Sequence, residues 1–206
     1  MTLAPSVETR VQLQLPFELR LTPEQFALVC RANPEAVLEL AADGQLIAMT
    51  PTGGETGQRN LALGALLWQA VRTSRLPLRL FDSSTGFQLP DGSVLSPDAA
   101  LIQQHRWDGL TLDQRRGFPP LCPDLVVELA SPSDQGPRGV QALRQKMVAY
   151  RRNGAQIGWL LLPDERAVEI WQSGDAPPER LAPAEALCAA PVFPALSIDL
   201  SEVWQA

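Results

Sequence analysis

A glutamate stands where an apolar residue is expected. In Leu125-Val126-Val127-Glu128-Leu129 an acid interrupts a short hydrophobic run, the pattern of a strand covered on both faces. Ser131-Pro132 follows as a turn signal. An unpaired carboxylate in such a place costs several kcal/mol, roughly the range for a poorly compensated buried charge, or gives up its charge. Glu128 therefore calls for a cationic or metal partner. Asp98, in Ser96-Pro97-Asp98-Ala99-Ala100-Leu101-Ile102, reads as an inward-looking acid on a neighbouring central strand, and Lys146 falls on the next helix. Two acids and a lysine are the parts of a metal-dependent phosphodiesterase. Hard cations such as Mg²⁺ favour carboxylate and carbonyl oxygens and keep several waters. Such an ion lowers the pKa of an attacking water and stabilises charge developing on the phosphate. Lysine would orient that water or neutralise the phosphate. Spacing alone leaves this open, since any α/β chain offers two acids and a lysine.

The elements that must position these residues follow from periodicity and breakers. Thr22-Pro23-Glu24-Gln25 is a helix start with Thr22 as N-cap, Pro23 at N1 and Gln25 completing a capping box. Ala36–Leu40 and Gln45–Met49 flank an Asp-Gly turn and read as a hairpin, with Glu39 facing solvent. After Pro51-Thr52-Gly53-Gly54, helical spacing of Leu61, Ala65, Leu66, Trp68 and Val71 predicts a long helix over about 56–75. Short strands are expected at Leu78–Phe81, Gly86–Leu89 and Val94–Leu95, the last continuing through Ser96 to Ile102. Residues 103–123 read as a surface insertion with one or two helical turns, and Asp124 marks the start of the next strand. A second long helix covers 138–153, ended by Asn153-Gly154. Ile157–Leu162 is another buried strand, and Ala167–Trp171 alternates as its antiparallel neighbour. The Pro- and Ala-rich stretch 174–194 carries an edge strand near Arg180-Leu181, and Ser201–Gln205 a closing helical turn. Residues 1–20 read as an irregular or edge-pairing arm.

The chain has 206 residues, 45% of them hydrophobic, so it can bury a sizeable core, and one domain is expected rather than two. No stretch reaches the length of a membrane span, and Met1–Leu21 lacks the basic start and apolar core of a signal peptide. A cytoplasmic location is the resulting expectation. Cys30, Cys122 and Cys188 are too widely spaced for a zinc pair and odd in number; they read as small core residues. The net charge of −6 argues against non-specific gripping of a polyanion. The densest basic stretch is Arg138, Arg144, Lys146, Arg151 and Arg152, and such a run ordinarily marks a solvated helix face.

Taken in order, helix, three strands, helix and strand resemble the restriction-endonuclease-like PD-(D/E)XK core. That is an α/β fold with a central mixed β-sheet flanked by helices, here with an added N-terminal helix and hairpin. Pro97-Asp98 matches the "PD" and Glu128-Leu129-Ala130 the "(D/E)-x-K" with its lysine missing, while Lys146-Met147-Val148-Ala149-Tyr150 resembles the K/Q-x-x-x-Y helix motif. The strings GGETGQRN, LSPDAALI, CPDLVVELASPSD, QKMVAY and IGWLLLP, over about residues 49–163, are together similar to the Uma-two family of restriction endonucleases. The core then spans about 49–172, with the helix and hairpin at 20–50 and a C-terminal extension at 173–206. The resemblance implies a Mg²⁺- or Mn²⁺-dependent endonuclease acting on DNA. Asp98 and Glu128 would be metal ligands, the Leu129 carbonyl a third ligand, Lys146 the water-positioning base, and Tyr150 and Glu55 accessory residues. Gly57 stands near the position where many family members carry a histidine.

Other chemistries fit less well. His105, the only histidine, lies in the insertion without a triad motif, and Ser131-Pro132-Ser133-Asp134 lacks the phosphate-loop pattern. No Rossmann glycine fingerprint or His-Glu-x-x-His zinc helix is present. The five tryptophans lie on different elements and read mostly as core or interface anchors, not as a base-stacking platform. The alternative is a nuclease fold with a vestigial site serving as a binding or assembly module, favoured by the acidic balance and by Ala130. The insertion and the Trp-bearing tail offer apolar surface for a homo-oligomer. What separates the two readings is whether the Lys146 amine reaches the carboxylates.

Overall fold

The computed structural model describes residue 16, residues 18–132 and residues 137–205. Most of the N-terminal arm and residues 133–136 of the loop after Glu128 lie outside this range. Helix α1 (Pro23–Ala32) starts as its sequence dictates: Thr22 Oγ1 accepts from the Gln25 amide and the Gln25 side chain accepts from the Thr22 amide. Strands β1 (Val37–Leu40) and β2 (Leu46–Met49) form the expected antiparallel hairpin. Its turn depends on Gly44, at φ +82°, where a Cβ would fall 2.7 Å from the Leu21 carbonyl oxygen. Helix α2 (Gly54–Ser74) follows. Then come β3 (Leu78–Asp82), β4 (Phe87–Gln88), β5 (Val94–Leu95) and β6 (Ala99–Gln103). The insertion carries two short helices, α3 (Gln104–Asp108) and α4 (Leu112–Arg116). Strand β7 (Leu125–Leu129), helix α5 (Pro137–Arg152), strand β8 (Ile157–Leu162) and strand β9 (Ala167–Gln172) complete the core.

The central sheet has six strands in the order β10-β9-β8-β7-β6-β3, with β10 at Glu179–Leu181. It is mixed: β7 and β8 run parallel, while β3 with β6, β6 with β7, and β8 with β9 are antiparallel. The α5 crossover between β7 and β8 is what makes a parallel pair possible. A second sheet, β2-β1-β5-β4, joins the hairpin to the core.

One strand expectation is corrected. Val94 to Ile102 is not continuous: β5 belongs to the second sheet, β6 to the central one, and Ser96-Pro97-Asp98 passes between them. Pro97 has no amide to donate to a ladder, and the Asp98 side chain takes the Leu129 amide instead. The C-terminal stretch holds more structure than its composition suggested. A hairpin of β11 (Ala186–Ala189) and β12 (Phe193–Asp199), then α6 (Ser201–Gln205), packs with α2 on one face of the central sheet.

Alternation along the strands sorts the core into two layers. Leu125, Val127, Leu129 and Trp159 pack on the α2 side with Leu63 and Leu67. Val126 and Leu160 pack on the other side with Met147 and Tyr150 of α5. Glu128 shares the second parity, so it occupies a place in the α5 layer where an apolar side chain would otherwise sit. Close seating of α5 depends on Gly158, where an added Cβ would meet the Met147 methyl at 2.3 Å and Val126 at 3.3 Å. Of the cysteines, only Cys122 is buried, Cys30 is half-buried and Cys188 exposed, which corrects their assignment as core residues.

Gly158→Val should destabilise the protein by about 1–3 kcal/mol through overpacking under α5, read as a lower urea midpoint with unchanged slope.

Candidate active site

Ser96-Pro97-Asp98, β7, α5 and the hairpin bring four charged side chains together. Glu128 is 3% exposed and Glu39 2%. Between them lies Lys146, whose side chain is 19% exposed. Its Nζ sits 2.9 Å from Glu128 Oε1 and 3.0 Å from Glu39 Oε1, and donates to the Ser96 carbonyl at 3.4 Å. Glu128 thus has the cationic partner that its burial demands. Tyr150, one turn along α5 and on the same face, donates its hydroxyl to the same Glu128 oxygen at 2.9 Å. Glu128 Oε2 has no hydrogen-bond partner among the described residues.

Asp98 is held from two sides. Its Oδ2 accepts from the Leu129 amide at 2.8 Å and its Oδ1 from Asn60 Nδ2 at 3.3 Å. The first contact ties Asp98 to the end of β7, one residue beyond Glu128. The two carboxylates are close enough that the charge on Asp98 helps push the Glu128 pKa up.

Glu39 is corrected by the structure. It does not face solvent; the hairpin lies against the site, and Glu39 Oε1 accepts from the Ser96 amide at 2.7 Å as well as from Lys146. Hairpin alternation ordinarily leaves one face to water. Here Leu40 packs on Phe26 and Val94, and the opposite face meets Lys146 of α5. Asn60 was also missed, because its helical neighbours give no sign that it faces an acid 38 residues away. A signal for Glu39 existed in its flanking residues, Leu38 and Leu40.

Other candidates have separate roles. Glu55 is exposed and forms an ion pair with Arg59 at 2.6 Å; its contacts include neither Asp98 nor Glu128. Asp124 is fully buried and accepts from Gln103 and Gln156 and pairs with Arg106 at 2.8 Å, a structural anchor for the start of β7. His105 is exposed on α3. Three residues of the basic stretch are engaged and do not form a solvated face. Arg144 pairs with Glu169 at 2.5 Å, Lys146 with two carboxylates, and Arg151 donates to the Ala176 carbonyl and lies over Trp171.

Burial raises the Glu128 pKa to about 7; Lys146 acts against the rise and Asp98 adds to it. Lys146 holds its proton more firmly than an ordinary lysine, because the two glutamates outweigh its own desolvation. Tyr150 is pushed well up by burial and by Glu128, so it stays a hydroxyl donor at neutral pH. Two hard, like-charged carboxylates beside the Leu129 peptide are a donor set that suits Mg²⁺ or Mn²⁺, which need only one or two protein carboxylates and fill the rest with water. Among the described residues no group of three or more His, Cys, Asp and Glu side chains converges as a cage, so a cation here would rely on carbonyl and water oxygens as well.

These features match a restriction-endonuclease-like fold. A solved structure described as a putative nuclease belonging to DUF820 from Anabaena variabilis ATCC 29413 superposes with a TM-score of 0.69 at 19% identity, covering 90% of this chain and 98% of that one. The family model Uma2, described as "Putative restriction endonuclease", matches residues 23–201. The chain belongs to the Uma2 family. Among curated proteins none matches it significantly.

Glu128 binds its proton more tightly in the fold than in the unfolded chain, where its pKa is near 4.5. Its contribution to stability is therefore full below about pH 4.5 and lost as pH rises through about 7. Measured without divalent metal, the thermal midpoint of wild type should fall over that window relative to Glu128→Gln, which cannot ionise; parallel curves would contradict the raised pKa. Lys146→Met should cost about 3–5 kcal/mol, because it leaves buried carboxylates uncompensated, and chemical denaturation measures it.

Proposed function

We propose that the protein is an endonuclease that hydrolyses DNA phosphodiester bonds with Mg²⁺ or Mn²⁺ held by Asp98, Glu128 and the Leu129 carbonyl. The observation that carries this reading is the Lys146 amine at 2.9 Å from Glu128. The lysine missing at Ala130 is replaced by one that reaches the same carboxylate from α5.

Held by these oxygens, the cation would supply a water of lowered pKa and a counter-charge for the phosphate. The chain's own residues do the rest. The amides of Leu129 and Asn60 orient Asp98. Tyr150 and Lys146 both engage Glu128 Oε1, which leaves Oε2 as the open ligand atom. Lys146, flanked by two glutamates, keeps its proton at neutral pH. Its role is then that of a cation that positions the attacking water and neutralises the phosphate, and not of a base that removes a proton. Glu39 fixes where that cation sits. Attack would be in line, without a covalent intermediate. The chain is proposed to act in the cytoplasm; among the described residues no helix is long and apolar enough to cross a membrane.

Mn²⁺ should raise the thermal midpoint of wild type in a concentration-dependent way, as any ligand that prefers the native state must. It should leave Glu128→Gln and Asp98→Asn unshifted, and those variants should lose cleavage of single-stranded and plasmid DNA by at least about 100-fold. Cleavage retained by folded Glu128→Gln would remove the assignment.

A further inference from the structure

Beside Asp98 lies an open groove of about 660 Å³ between α2 and the edge strand β3. Leu61, Gly64, Ala65 and Trp68 line it from α2, Phe81 from β3, and Asp98 and Asn60 complete it. Leu61 is 75% exposed and Trp68 58%. Most tryptophans here follow the expected burial, with Trp159 and Trp171 in the core, but Trp68 does not. At roughly 100° per residue, Leu61, Ala65, Trp68 and Arg72 fall within about 40° of one line along the helix. The stripe is apolar near Asp98 and basic at its far end. Arg72 lies over the Trp68 ring, 5.3 Å from its centroid. Arg72 and Arg75, at the end of α2, are exposed and take part in no ion pair among the described residues. In a chain of net charge −6, two unpaired arginines within four residues at the end of this stripe offer a local attraction to a polyanion.

We propose that this groove is the track of a single strand of nucleic acid, with Trp68 stacking on an unpaired base and Arg72 contacting its backbone. The inference rests on the hydrolytic reading of the Asp98 site and names its substrate form. Exposed aromatic rings interleaved with cations are how strands are held without sequence readout, because every base offers a π-face. Paired bases in a duplex keep those faces covered. Asp82, the acid in the groove wall, has one carboxylate oxygen occupied by Ser84 and Thr85. A second copy of the chain is a poorer occupant. Set on the stripe by a two-fold axis, it would bury unpaired arginines against Leu61 or against each other.

The test is fluorescence anisotropy in EDTA, so that binding is read apart from hydrolysis, with a labelled oligothymidylate of about 15 nucleotides and a duplex of equal length. The full-length protein should bind the single strand at least about 10-fold more tightly than the duplex, with quenching of tryptophan emission. Trp68→Ala should weaken single-strand binding about 5- to 100-fold, Trp68→Phe should retain most of it, and Trp68→Leu should not restore it. Arg72→Gln should weaken binding and flatten its salt dependence. Thermal midpoints near wild type establish that the exposed substitutions leave the fold intact. Unchanged affinity in Trp68→Ala, preference for duplex, or a shift from dimer to monomer as the sole effect in sedimentation would overturn the proposal. Trp68-dependent binding by a protein that never cleaves with Mn²⁺ would instead remove the hydrolytic reading and leave the strand track standing.

Discussion

One shared cation holds this site together. Glu128 stands in the α5 layer of a sheet otherwise packed with aliphatic residues, and Glu39 closes the layer from the hairpin side. Neither carboxylate has water enough to carry its charge alone. Lys146 serves both, and the contact joins three elements distant in sequence: the N-terminal hairpin, β7 and α5. Removing one partner of such a buried set costs more than forming it gains, so the hairpin, which could be taken for decoration on the core, is tied to the chemistry. The Ser96-Pro97-Asp98 crossing is drawn in by the same knot through the Ser96 amide and carbonyl.

The same arrangement divides roles among the charged groups. Two glutamates that face Lys146 raise its hold on the proton, while burial and Asp98 loosen the hold of Glu128 on its charge. At neutral pH, a site with one firmly protonated lysine and a carboxylate at the edge of ionisation responds strongly to an added divalent charge. Asp98, half-buried and bonded to the end of β7, faces the groove, whereas Lys146 and Tyr150 approach from beneath α5.

Much of this was legible in the chain. The acid inside Leu125–Leu129 announced both a buried strand and a missing partner, and the capping box at Thr22 placed α1 to the residue. The long helices and the core strands lie close to the expected bounds, and the spacing of Lys146 and Tyr150 puts both on one face of α5; of the residues whose spacing predicts α2, however, Leu61, Ala65 and Trp68 are exposed, and α2 buries Leu63 and Leu67 instead. What escaped depended on tertiary contact. The inward turn of Glu39 is set by a helix more than 100 residues later, and no local period reports it. The break at Pro97 was visible as a residue type, but that it separates two sheets depends on which strands pair. The β11–β12 hairpin was hidden by proline and alanine, whose composition suggests irregular chain until packing against α2 rewards it. Trp68 belongs to the apolar spacing that predicts α2 and reads as a core or interface anchor, but packing of Leu63 and Leu67 on the sheet turns it outward.

The measurement that bears most directly on the account is the anomalous scattering of Mn²⁺ in crystals of the wild-type protein, at a wavelength where manganese stands out. A peak bound by Asp98, Glu128 and the Leu129 carbonyl is expected, with Lys146 still on Glu128 and Glu39. Manganese elsewhere on the molecule, with the Asp98 and Glu128 carboxylates bare at saturating metal, would contradict it.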